Sequence, residues 1–187
     1  MNLSSFTSFN RKKANSSLGF TLVEILVVIT IIGILATLGL ANFRSSQIKS
    51  RDARRKADLK QIQNAMELIY NDYGRYPAST NEGLISACDF NKADPDATTH
   101  PCFWGDTVND MSDGNTIYLK AIPQDPANFA YFYEASSTGN AYRLLAHLEN
   151  TQDPSYNQTI ASSGVDCGSF ACNYGVASAN HLPQEAF

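Results

Sequence analysis

The 187-residue sequence predicts an α+β protein: one long N-terminal hydrophobic helix whose C-terminal half packs on a small antiparallel β-sheet. Three observations carry that expectation. Residues 20–41 form an apolar run of 22 residues interrupted by a single charge, Glu24. Leu59, Ile62, Met66, Ile69 and Tyr73 recur at spacings of 3, 4, 3 and 4, which is one stripe of a helix. Residues 129–134 and 141–149 flank Ser136-Ser137-Thr138-Gly139-Asn140, a hairpin signal.

Charge divides the chain. Hydrophobic residues make up 43% and charged residues 17%, too apolar for a disordered chain, and the net charge of −4 excludes a nucleic-acid binder driven by overall charge. Residues 1–19 carry Arg11, Lys12 and Lys13 and no acid. Residues 44–60 hold seven bases against Asp52 and Asp58, and beyond Lys60 four bases face fifteen acids. The reading is a basic leader (1–19), a hydrophobic segment (20–43), an amphipathic continuation of the same helix (44–75) and an acidic head (76–187).

The apolar run is long enough to cross a bilayer core of ~30 Å as a helix. It is too long for the apolar core of a secretory signal, roughly 7–15 residues. Glu24 is costly in such a segment unless it reaches the headgroups or meets a partner cation, and composition alone leaves both readings open.

Leu18-Gly19-Phe20-Thr21-Leu22-Val23-Glu24, behind a basic leader and at the head of the apolar run, resembles the processing site of type IV pilins and type II secretion pseudopilins. The resemblance implies a pilin-like fold. It implies cleavage by prepilin peptidase between Gly19 and Phe20, N-methylation of Phe20, and a role for Glu24 in assembly, facing the terminal amine of a neighbouring subunit. A buried carboxylate needs such an opposite charge. The function implied is a structural subunit of a type IV pilus-like filament, with a type II secretion pseudopilin as the alternative. The implied partners are other pilins in a homo-oligomeric filament, the peptidase, an inner-membrane platform protein, an assembly ATPase, and membrane lipid before assembly. The implied location is a single pass through the inner membrane, then a cell-surface pilus or a periplasmic pseudopilus. Counting Lys and Arg on each side of the run would place the leader outside. The resemblance places it in the cytoplasm, and the more specific motif decides.

The helix is expected to run from about Phe20 to about Tyr73. No proline precedes Pro77, only Gly33 and Gly39 interrupt it, and Gly74 offers a stop. Ile48 and Arg55 extend the apolar row backward. The proline that many type IV pilins carry near the position of Ala41 is absent. The bases of residues 44–60 read as a solvated face near lipid headgroups, and DNA binding is disfavoured because no aromatic residues interleave them.

In the head, Ser79-x-x-Glu82 reads as a capping box that opens a short helix to about Cys88, and residues 89–115 as a loop. Residues 118–126 resemble the "YL…P-x-DP" turn of the family, with Ala127-Asn128 where pseudopilins often have Trp-Gly. In the second hairpin strand, Tyr142, Leu144, Ala146 and Leu148 should face the helix and Arg143, Leu145, His147 and Glu149 the solvent. A third strand is expected over residues 172–177.

Four cysteines permit three pairings. The local pairs, Cys88 with Cys102 and Cys167 with Cys172, are preferred, and a zinc site is disfavoured because no CxxC pair exists. No nucleophile elbow, phosphate loop or HExxH is present, so no enzyme is expected. His147 should be exposed on a strand, and His100 and His181 lie in loops. The reading from a different class is a membrane-anchored enzyme or binding domain that does not polymerise. Asp106, Asp110 and Asp113, with Asn109 and Asn115, offer oxygen ligands that suit calcium, and major pseudopilins often bind it. Their spacing is not that of an EF-hand, so a solvated acidic loop is preferred and no cofactor is assigned. Asn157-Gln158-Thr159 is a glycosylation sequon of low specificity.

Overall fold

The computed structural model describes residues 19–88, 101–110 and 116–187, with the backbone alone for residues 38–42. Most of the leader, including Arg11, Lys12 and Lys13, lies outside the described residues. The chain divides into two units, Met1–Phe43 and Arg44–Phe187, and a single helix, α1 (Leu22–Tyr73), contributes to both.

In the first unit, the large apolar side chains between Leu22 and Leu35 are 48–80% exposed. The threonine hydroxyls are satisfied within the helix. Thr30 Oγ1 donates to the Val27 carbonyl and Thr37 Oγ1 to that of Ile34, each at 2.7 Å. Among the described residues no helix is long and apolar enough to cross a membrane. The span expected over residues 20–41 runs into residues 38–42, whose side chains lie outside the described residues.

The second unit is the head, built on the remainder of α1. That helix stops where Gly74 turns left-handed, with φ +69°, and donates its N–H to the Tyr70 carbonyl at 2.7 Å. Strands β1 (Val108–Asp110) and β2 (Thr116–Leu119) form an antiparallel pair. Strands β3 (Phe132–Ala135), β4 (Tyr142–Ala146) and β5 (Tyr174–Ala177) form an antiparallel sheet in the order β3-β4-β5, with Tyr133 opposite Leu144 and Leu144 opposite Val176. A one-turn helix, α2 (Gln158–Ala161), precedes β5. The stripe Leu59, Ile62, Met66 and Ile69 is buried in one cluster with Tyr133, Tyr142, Leu144 and Ala146. The 3.6-residue and 2-residue periodicities thus meet in one core.

Three expectations give way here. No helix forms over residues 79–88. Ser79 bridges to Ile85, and the Thr80 hydroxyl accepts the N–H groups of Glu82 and Leu84 at 3.3 and 3.0 Å. A threonine can offer the backbone this turn in place of a helix. The Ser79 hydroxyl, expected to cap, accepts the Ala135 N–H of β3 instead. Part of the expected loop is strand β1, where Val108 is fully buried; residues 89–100 and 111–115 lie outside the described residues. The second face of β4 is not solvated. Leu145 packs with Ile160, Cys167 and Cys172 in a separate cluster, and Arg143 is buried against Glu134 at 2.6 Å. The alternation correctly gave Tyr142, Leu144 and Ala146 as residues packed with the helix; it could not show that the C-terminal segment covers Leu145 on the other side.

Gly83 has φ +76°, and a Cβ there would lie 2.3 Å from the Phe132 ring. Gly83→Ala should therefore destabilise the head by ~1–3 kcal/mol. A fall in the urea midpoint at unchanged slope would show it.

Candidate functional site

Gly19, Phe20 and Thr21 precede α1 in non-helical conformation, and Phe20 is 83% exposed. The helix then begins with a reciprocal cap. Glu24 Oε2 accepts both the Thr21 N–H and the Thr21 hydroxyl at 2.8 Å, while Thr21 Oγ1 accepts the Glu24 N–H at 3.3 Å. Thr21-x-x-Glu24 is the capping-box spacing, a local duty that reading Glu24 as an assembly residue alone leaves out. Gly19, Phe20 and Glu24 are thus brought together at one helix start.

The head holds a second constellation, centred on Arg55. This guanidinium has no solvent exposure. Its Nε and Nη2 donate to the two oxygens of Asp125 at 2.6 and 3.1 Å, and its Nη1 donates to Asp52 and Glu149 at 2.7 and 2.8 Å. Its carbon centre lies 4.8 Å from the Phe129 ring centroid. Arg51 forks onto Glu149 at 2.7 and 2.5 Å, and Lys56 reaches Asp153 at 2.5 Å.

The carboxylates of this cluster also bind backbone. Asp125 Oδ1 accepts the N–H groups of Ala127 and Phe129, and Asp52 accepts those of Glu149 and Asn150. Asp125 and Asp52 therefore each fix a loop as well as a cation. Burial opposes the charge on Arg55, but the hydrogen bonds it donates to Asp125 and Glu149 outweigh it and raise its pKa. The hydrogen bond from Arg51 leads in lowering the Glu149 carboxyl to about 2, against a burial cost and with help from Arg55.

The solvated reading of the basic stretch is corrected accordingly. Arg51, Arg55 and Lys56 are consumed within the head, and Arg44, Lys49, Arg54 and Lys60 remain exposed. A charge count cannot separate these groups. Arg55 on the apolar stripe was the available signal, because a buried guanidinium demands carboxylates. Asp125 in the "P-x-DP" turn is the partner.

The structure joins Cys88 to Cys102 and Cys167 to Cys172, with Cα separations of 5.2 and 5.0 Å. His147 is not exposed on a strand. It lies past the end of β4, donates from Nδ1 to the Ala171 carbonyl at 2.7 Å and stacks on Phe170. His181 stacks on Phe187, and His100 lies outside the described residues. Asp106 accepts the Phe103 N–H at 2.9 Å, and Asp110, buried on β1, accepts the Tyr73 hydroxyl. Asn109 is likewise buried on β1, whereas Asp113 and Asn115 lie outside the described residues. Among the described residues no group of three or more His, Cys, Asp or Glu could hold a metal ion. The Asn157 side chain caps α2 by accepting from Thr159 and Ile160.

A helix segment with its apolar side chains uncovered must be covered by lipid or by other protein. That defines the class: a protein whose N-terminal helix is made to be embedded, in a membrane or in an assembly. Residues 14–40 match the family described as the prokaryotic N-terminal methylation motif. The chain is 31% identical to type II secretion system core protein G of Aeromonas hydrophila over 128 residues, 68% of this chain and 72% of that protein. It is 33% identical to the Escherichia coli (strain K12) core protein G over 128 residues, 68% of this chain and 79% of the relative. It is 35% identical to the type IV major pilin protein PilA of Myxococcus xanthus over 82 residues, 44% of this chain and 34% of the relative. No solved structure matches significantly. The chain belongs to the family of type IV pilins and type II secretion pseudopilins and is a pilin-like filament subunit. The family is structural rather than enzymatic.

Arg55→Met should cost ~3–5 kcal/mol, because it leaves the buried carboxylates of Asp52 and Asp125 without their cation. Lys60→Met, at an exposed site, should stay within ~0.5 kcal/mol. Denaturant unfolding of both variants compares them. A carboxyl with a depressed folded pKa stabilises the fold above its unfolded value and loses that contribution as pH falls through the folded one. Glu149 should therefore stabilise the head above pH about 4.5 and lose this as pH drops toward 2. Asp153, also lowered, acts in the same sense, and Asp58, raised by burial, in the opposite one. Thermal unfolding at stepped pH should show a steeper acid decline for wild type than for Glu149→Gln.

Proposed function

We propose that this chain is the precursor of a filament subunit, cut by prepilin peptidase between Gly19 and Phe20, N-methylated at Phe20 and polymerised through the apolar part of α1. The observation that carries this reading is the uncovered apolar helix directly after a capped Gly-Phe-Thr start. Before assembly the segment sits in the inner membrane as a single pass with the head outside. The platform protein and ATPase of the assembly machinery then draw it into the filament. The head carries no catalytic duty.

Two destinations fit. The matches spanning more than two thirds of the relatives are pseudopilins, which favours a periplasmic pseudopilus. The pilin match keeps the surface pilus as the second reading. Deleting the gene separates them: lost secretion without lost surface fibres supports the pseudopilus, and the reverse supports the pilus.

In this reading Glu24 has two successive duties. It first caps its own helix, and in the filament it meets the amine of Phe20 on another subunit. Glu24→Gln keeps the cap and removes the charge, whereas Glu24→Ala removes both. Both variants should be exported and folded yet assemble poorly at matched membrane levels. Wild-type yield from Glu24→Gln would show that the charge has no part in assembly. Mass spectrometry of filament or membrane fractions should recover an N-terminal peptide beginning at methylated Phe20. An intact leader in assembled material would reject the processing step.

A further inference from the structure

The bridge between Cys167 and Cys172 closes a small loop that touches both halves of the Arg55 cluster. On one side it holds the turn that carries Asp125. The Cys167 carbonyl accepts the Ala130 N–H at 3.2 Å, and Gly168, at φ +85°, lies so close that a Cβ would stand 3.2 Å from that nitrogen. The Phe170 ring packs against Phe129 with centroids 5.0 Å apart, and Phe129 lies beneath the Arg55 guanidinium.

On the other side the loop holds the chain that leaves β4 toward Glu149. The Ala171 carbonyl accepts from His147, and the His147 ring stacks on Phe170 with centroids 5.0 Å apart. Asn173, next to Cys172, clasps Leu148 at both its N–H (2.6 Å) and its carbonyl (2.9 Å). Both cysteines are fully buried. The loop is thus a wedge between the two segments that present Asp125 and Glu149 to α1.

We propose that the Cys167–Cys172 bridge is a redox latch on the helix, so that the head grips α1 through Arg51 and Arg55 firmly only once the bridge has closed. Closure joins the two sulfurs. The two electrons and two protons lost by the thiols reduce the disulfide of a thiol oxidant to its dithiol by way of a mixed disulfide. Such an oxidant belongs to compartments outside the cytoplasm. The latch therefore distinguishes a subunit whose head has been exported and oxidised from one whose head has not. A closed loop of this size removes enough chain freedom to change a local opening equilibrium by on the order of 10- to 50-fold.

The test is amide hydrogen exchange, read by mass spectrometry, on the full chain in detergent micelles. Wild type is compared with the double variant Cys167→Ser/Cys172→Ser and with Phe170→Ala, in which the bridge stays closed but the wedge is lost. Both variants should exchange faster than wild type at residues 125–130 and also at residues 51–58. The expected factors are roughly tenfold or more for the double variant and severalfold for Phe170→Ala. Faster exchange confined to residues 166–173 overturns the proposal. If the double variant loses protection throughout the head, Phe170→Ala decides: faster exchange at residues 51–58 supports the latch, and wild-type exchange there overturns it.

Discussion

The head is organised around the buried guanidinium of Arg55. An apolar stripe such as Leu59, Ile62, Met66 and Ile69 attracts a sheet without fixing how far the helix slides or turns on it, because burial is non-directional. Arg55 removes that freedom. Its planar fork meets Asp125 in two parallel bonds, and its remaining nitrogen is shared by Asp52 and Glu149. Desolvating these charges offsets much of their attraction, so the cluster specifies an arrangement more than it adds net stability. The arrangement is demanding because Asp125 also holds the backbone of Ala127 and Phe129, and Asp52 that of Glu149 and Asn150. A shift of α1 by one turn would break loop geometry and ion pairs together.

This internal neutralisation changes what the basic stretch offers to its surroundings. Seven bases between residues 44 and 60 suggest a broad cationic face. With Arg55 buried and Arg51 and Lys56 paired to acids of the head, the exposed cations are Arg44, Lys49, Arg54 and Lys60. Long-range attraction to anionic surfaces scales with charges that remain exposed and is screened beyond ~10 Å, so the sequence count overstates it.

The long helix, its stop at Gly74 and the hairpin around Gly139 were legible in the sequence, because periodicity and turn chemistry are local. The inward set Tyr142, Leu144 and Ala146 was legible for the same reason. What escaped depends on partners distant in the chain. Leu145 and Arg143 sit on the polar-seeming side of the alternation; Ile160, Cys167 and Cys172 cover Leu145, and Glu134 pairs with Arg143. The Ser79-x-x-Glu82 signal was outvoted by Thr80 and by pairing with β3, whereas the equivalent Thr21-x-x-Glu24 signal, free of such competition, does cap a helix. Identical local grammar gave opposite outcomes because tertiary context overrides propensity.

The cap at Thr21 and Glu24 also draws a frontier along the chain. In a helix each amide is tied into a ladder, so a peptide bond inside it cannot be laid out straight across another protein's cleft without unwinding a turn. Here the ladder begins at Leu22, and the amide between Gly19 and Phe20 stays on the unladdered side. Had the helix begun one turn earlier, that bond would be locked among its neighbours. The two side chains that start the rod therefore also fix where it starts, and leave Gly19 and Phe20 outside its ladder.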